Sequence, residues 1–208
     1  MSKKPQFATN FQEYFKEIRA RYLTGDYTEL SLRTPLENFV RSLNKDYGLI
    51  QEPKRTRNLG APDFKAFNGI KKIGYIETKD LNRNLDEELK SDQIEKYRKS
   101  IDNIILTNYF RFILLKHDKI LFDFNLFNLS DLDDSKFIVQ DRNIEEYLSL
   151  ISVFFGYNLT TLKTPEELSF ELSKRAKLLK GLAKEQLNED ILKAKDNQPA
   201  SSIYDFYV

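Results

Sequence analysis

The chain contains no cysteine, no tryptophan, one methionine and one histidine in 208 residues. Without cysteine there are no disulfides and no thiolate zinc sites, and cysteine usage carries no compartment signal. A single histidine excludes histidine-metal nucleases and HExxH metallopeptidase sites. That histidine lies in Lys116-His117-Asp118-Lys119, a hairpin-turn composition, so it is expected to be a solvated turn residue without a catalytic role. A Ser-His-Asp triad is thereby left without its base. No apolar run approaches the ~20 residues of a membrane helix. The opening Met1-Ser2-Lys3-Lys4-Pro5-Gln6 lacks the apolar stretch of a secretory signal, so a cytoplasmic protein with no membrane partner is expected.

What is present allows one good core. Hydrophobic residues make up 40% of the chain and sixteen are phenylalanine, enough for a single domain and a helical appendage. Net charge is only +1, but its distribution is uneven. Residues 1–79 hold fifteen Lys and Arg against nine Asp and Glu; residues 80–208 hold eighteen against twenty-three. The basic part is the one a phosphate-binding surface requires, although ordinary fluctuation of surface charge produces such an imbalance too.

That basic part contains Gly60-Ala61-Pro62-Asp63-Phe64 and, further on, Gly74-Tyr75-Ile76-Glu77-Thr78-Lys79-Asp80. In a strand alternate side chains share a face, so Glu77 and Lys79 project together. The preceding residues are apolar, and a carboxylate and an ammonium on a core face are costly unless paired or bound to a metal. Asp63 and Glu77 offer the oxygen ligands a hard divalent cation takes, and Lys79 a point charge beside a phosphate. These are the groups that phosphodiester hydrolysis needs, without a histidine base.

Four elements occur in order: Thr28-Glu29-Leu30-Ser31-Leu32-Arg33, the Pro62-Asp63 segment, Glu77-Thr78-Lys79, and Gln93 with Tyr97 four residues later. Together they resemble the PD-(D/E)XK nuclease superfamily. In particular they resemble the amino-terminal nuclease domain of bacterial polypeptides that fuse a nuclease to an adenine-N6 DNA methyltransferase. The resemblance covers roughly residues 10–190. It implies an α/β, restriction-endonuclease-like mixed β-sheet flanked by helices, with a long C-terminal helical extension. It also implies Mg2+ (or Mn2+) held by Asp63, Glu77, Glu29 and the backbone carbonyl of Thr78, whose side chain faces the other way. Lys79 would act on the phosphate. Double-stranded DNA is the implied substrate. Downstream methyltransferase and target-recognition regions are the implied partners, and S-adenosylmethionine belongs to those alone. A catalytically silent DNA-binding or regulatory module of the same fold and a stand-alone repair nuclease are the alternatives.

Glu37 competes with Glu29. Residues 29, 33, 36 and 40 share a helix face, placing Glu29 beside Leu36 and Val40, whereas Glu37 lies nearer the polar side with Arg33, Thr34 and Arg41. The resemblance favours Glu29. Gln93 and Tyr97 stack on one helix face; in related nucleases such a pair borders the metal site and helps bind DNA, while the plain alternative is a core Tyr97 and a surface Gln93. Lys54, Arg55 and Arg57 form a basic loop that either contacts phosphates or is simply solvated.

Periodicity predicts helices over residues 10–20, 28–43, 86–100, 143–155 and 164–191, and strands over 49–52, 62–67, 72–79, 103–109, 111–116 and 119–127. Pro35 implies a kink or a later start in the second helix. Leu89, Ile94, Tyr97 and Ile101 are expected to face the core from the third. Asn68-Gly69 signals a hairpin. A strict two-residue turn there sets Asp63 opposite Gly74, so a five-residue loop over 68–72 is expected instead, bringing Asp63 level with Glu77. Residues 131–135 form a polar loop that lacks the glycine and terminal glutamate of a calcium loop. The nuclease domain is expected over 1–158. A helical connector over 159–208 leads towards further domains, its helix basic at Lys174, Arg175, Lys177, Lys180 and Lys184. A linker at 196–202 and an aromatic segment at 203–208 follow, the latter reading as the opening of another helix.

Overall fold

A computed structural model describes residues 4–53 and 62–156, together with helical residues between 169 and 191. Lys54, Arg55, Arg57, Lys174 and Arg175 lie outside the described residues, as do the expected helix start at Thr164, the linker and the aromatic segment. The chain divides into two compact units, Met1–Leu159 and Thr160–Val208.

The first unit opens with α1 (Lys4–Tyr22) and α2 (Glu29–Leu43). Between them Gly25 takes a φ of +67°, a conformation glycine reaches without steric penalty. A capping box starts α2: the Thr28 hydroxyl accepts from the Ser31 N–H at 3.2 Å, and the Ser31 hydroxyl accepts from the Thr28 N–H at 3.0 Å. The helix runs through Pro35, which is buried with Leu32, Leu36, Phe39 and Val40. One backbone hydrogen bond is forgone there, and the cap and buried face offset it.

Six strands form one sheet in sequence order: β1 (Tyr47–Gln51), β2 (Phe64–Asn68), β3 (Lys71–Thr78), β4 (Asn103–Thr107), β5 (Arg111–Lys116) and β6 (Lys119–Asn125). All neighbours are antiparallel except β3 and β4, which are parallel. The crossover between those two carries α3 (Leu85–Glu88) and α4 (Asp92–Ser100). The single helix expected over 86–100 is thus two. Ser91 caps a fresh start, its hydroxyl accepting from the Ile94 N–H at 3.3 Å, and Leu89 falls in the break, only partly buried. A 3-10 turn (Leu129–Asp133) occupies the expected polar loop, and α5 (Asp141–Phe155) completes the unit.

Two cores result. On one face, side chains of α1, α2 and α5 pack against Phe64, Ile76, Ile105 and Phe112; Tyr14 stacks on Phe39 at 4.3 Å between ring centroids. On the other, Leu85, Ile94 and Tyr97 cover Tyr75, Ile104, Leu106 and Ile113. His117 (φ +48°) and Asp118 (φ +64°) form the turn from β5 to β6.

The hairpin between β2 and β3 is not the expected wide loop. Gly69 (φ +58°) and Ile70 make a two-residue turn between paired Asn68 and Lys71. A bulge then inserts Ile73, because Ala66 pairs with Gly74 while Phe67 pairs with Lys72. From there Phe64 faces Ile76, so the register carries Asp63 level with Glu77. Next to the bulge, β4 requires glycine at 74: a Cβ there would lie 2.3 Å from the Asn103 carbonyl oxygen.

Candidate active site

The site forms where β2 begins and β3 ends, and strand alternation divides it between the two faces of the sheet. Thr78 shares its face with Ile76, towards α2. Glu77 shares its face with Tyr75, towards α4. Asp63 precedes the first regular residue of β2 and is free of that alternation, so its carboxylate turns to the α2 side.

On that side Asp63 Oδ2 accepts from both the backbone N–H and the hydroxyl of Thr78, each at 2.7 Å. Asp63 Oδ1 accepts from Arg33 Nη2, which also donates to Glu29 Oε1 at 2.9 Å. Glu29 Oε1 lies 3.2 Å from the Thr78 hydroxyl. The Thr78 side chain does face away from Glu77, but it meets the other half of the site there. Of the two competing glutamates, Glu29 joins Asp63, whereas Glu37 accepts from Arg41 at 2.9 Å and Gln51 at 2.8 Å. Tyr109, between β4 and β5 with φ +73°, donates its hydroxyl to the Glu29 carbonyl at 2.6 Å and so anchors the start of α2.

On the α4 side Glu77 is 2% exposed. Its Oε1 accepts from Lys79 Nζ at 2.9 Å and Gln93 Nε2 at 2.8 Å. Among the described residues its Oε2, also buried, has no hydrogen-bond partner. Burial, and next the negative charge of Asp63, push the Glu77 carboxyl from 4.5 up to about 7, against the pull of Lys79 and the Asp63 backbone N–H. Lys79 Nζ also donates to Gln93 Oε1 at 3.0 Å and lies 4.0 Å from Glu88. Gln93 is exposed, while Tyr97 is core, its ring buried and its hydroxyl 3.2 Å from Gln93 Nε2. Burial raises the Tyr97 hydroxyl to about 12, so it stays protonated at neutral pH.

Asp63, Glu77, Thr78, Lys79, Glu29, Gln93 and Tyr97 therefore come together at one end of the sheet. Sequence reasoning missed Arg33, Glu88 and Tyr109. Arg33 stands four residues after Glu29, a helical pairing distance that pointed to it. Glu88 sits on the short helix α3, buried, and bound by Arg83. Nothing in the local pattern marked it or Tyr109.

Among the described residues no three acidic or histidine side chains converge closely enough to hold a metal ion as they stand, and Arg33 Nη2 lies between Glu29 and Asp63. The donor set nevertheless suits a hard divalent cation. It is all oxygen, and Glu77 presents a buried carboxylate oxygen with no partner, the kind of atom a cation satisfies.

No family model matches the chain, and no curated protein matches its sequence. Solved structures do match its fold. One is a cryo-EM structure of a DrdV–DNA complex, with a TM-score of 0.54 and 21% identity over 74% of this chain. The match spans 14% of that chain, and at this identity it speaks for the fold alone. The six-stranded, mostly antiparallel mixed sheet between helices is a restriction-endonuclease-like fold. Among the described residues no helix is long and apolar enough to cross a membrane.

Proposed function

We propose that this chain is a divalent-metal-dependent endodeoxyribonuclease domain that hydrolyses phosphodiester bonds in double-stranded DNA. The carrying observation is the buried Glu77 Oε2 beside Lys79 at the strand ends, without a partner among the described residues. Support also comes from the motif order and from the DNA-bound state of the structurally similar DrdV. Asp63, Glu77, Glu29 and the Thr78 carbonyl would hold the cation. Bound there, Mg2+ supplies Lewis acidity and lowers the pKa of a water.

The remaining work belongs to side chains of this chain. Lys79 uses two of its three N–H groups on Glu77 and Gln93, at 2.9 and 3.0 Å. The third is available for a phosphate oxygen, where charge grows as the bond to the nucleophile forms. Gln93 bridges Glu77 and Lys79, and buried Tyr97 steadies that amide. Lys54, Arg55 and Arg57 complete the reading as contacts to the DNA backbone.

The wider setting we propose is a restriction–modification polypeptide whose methyltransferase and target-recognition regions lie downstream. The order of the four motif elements, which resembles the amino-terminal nuclease domain of such polypeptides, supports it. Reading the gene beyond Val208 for an adenine-methyltransferase motif tests that setting. A second reading, a catalytically silent DNA-binding module, is favoured by one fact: protein donors already occupy both Asp63 oxygens.

Lys79→Ala separates the two. With Mg2+ and plasmid DNA, the native chain is expected to nick or cut, and the variant to lose at least about a hundredfold in rate. DNA affinity and circular dichroism should change little. Equal cleavage by both proteins, or none by the native chain, would return the site to a structural role.

A further inference from the structure

Arg33 is 8% exposed, yet its guanidinium is poorly satisfied by the described residues. Its buried Nε has no hydrogen-bond partner among the described residues. Among the described residues its Nη1 reaches only Glu52, at 3.6 Å, and the Glu52 side chain is 72% exposed. The close contacts all run through Nη2, which lies between Glu29 Oε1 and Asp63 Oδ1. A single nitrogen bridging two carboxylates stands where a small cation would stand. What holds Arg33 in place is therefore chiefly the charge of the two acids. Thr78 keeps Asp63 Oδ2 occupied independently, through its N–H and hydroxyl.

We infer that Arg33 is the resident counter-cation of this site, and that a divalent cation loads by displacing its guanidinium from Asp63. The inference rests on the metal-dependent reading above and adds a control to it. In the metal-free chain Arg33 suppresses repulsion between Glu29 and Asp63. On loading, the cation takes over that neutralisation and the guanidinium swings towards Glu52 at the protein surface. Arg33 thus raises the metal concentration at which the site fills. An arginine with a purely structural part in the site has the opposite signature, since its removal would disorder the ligands and weaken binding.

Calorimetric titration of Mn2+ into the native chain, Arg33→Met and Asp63→Ala distinguishes these, with thermal unfolding recorded with and without Mn2+. Arg33→Met is expected to bind Mn2+ on the order of tenfold more tightly than native. It should melt lower without metal and gain more on adding it. Asp63→Ala is expected to lose binding. Equal or weaker binding by Arg33→Met, with Asp63→Ala silent, overturns the role of Arg33 while leaving the metal reading intact. Unchanged binding by Asp63→Ala, or no binding by any of the three, overturns both. Should Arg33→Met fail to fold, Arg33→Lys carries the test. A point charge without the planar fork spans the two carboxylates less well, so this variant too is expected to bind Mn2+ more tightly than native.

Discussion

The two halves of the site are built on opposite principles. On the α2 face, Asp63 and Glu29 are surrounded by donors: Arg33, the Thr78 hydroxyl and the Thr78 N–H leave no Asp63 oxygen without a partner. On the α4 face, Glu77 is more deeply buried and less well served, with one oxygen shared by Lys79 and Gln93 and the other without a partner among the described residues. The first half is at rest as it stands. The second stores an unfavourable charge that protonation or a cation relieves. The pair is informative because the two halves are joined through consecutive residues of one strand, Glu77 and Thr78, so a ligand binding between them draws on both.

The comparison breaks most sharply at Glu77. A carboxyl whose folded-state pKa is raised from 4.5 to about 7 keeps its proton more tightly when folded. Its contribution to stability is therefore complete below about 4.5, lost as pH rises to about 7, and constant beyond. Glu77→Gln is expected to remove that dependence. In metal-free buffer the variant should gain on native between pH 5 and pH 8, by up to about 3 kcal/mol for a shift of this size. Urea unfolding at several pH values checks this; parallel pH profiles would show that Glu77 titrates normally.

A smaller effect sharpens the other half. Thr78 is fully buried and its hydroxyl serves Asp63. Thr78→Val keeps the shape and removes one donor to a carboxylate that retains two others. A loss of roughly 1–2 kcal/mol is expected, nearly independent of pH above 5. A loss appearing only near pH 7 would mean that Thr78 acts through Glu77 instead.

Much of this was legible before any coordinates. Alternation along 72–79 placed Glu77 and Lys79 on one face, helical spacing placed Gln93 beside Tyr97, and all six strands lay within two residues of their observed bounds. The hairpin was misread because its register depends on a bulge. That bulge lies beside Gly74, whose close approach to Asn103, far away in sequence, exists only in the folded sheet. The split of α3 from α4 follows from Ser91, a capping residue inside an otherwise helical pattern. Arg33 fell both on the face shared with Glu29 and on the polar side with Glu37, because periodicity reports a helix face and not the loop arriving against it. Its contact with Asp63 needed the tertiary fold.

On the proposed function, Asp63 and Glu77, held differently in the metal-free chain, serve one cation. Anomalous diffraction from a crystal of the chain soaked in Mn2+ tests it directly. An anomalous peak is expected within coordination distance of Asp63, Glu77 Oε2 and the Thr78 carbonyl, with the Arg33 guanidinium moved away from Asp63. A fully soaked crystal with no peak at these residues, and Arg33 still bridging Glu29 and Asp63, would contradict it.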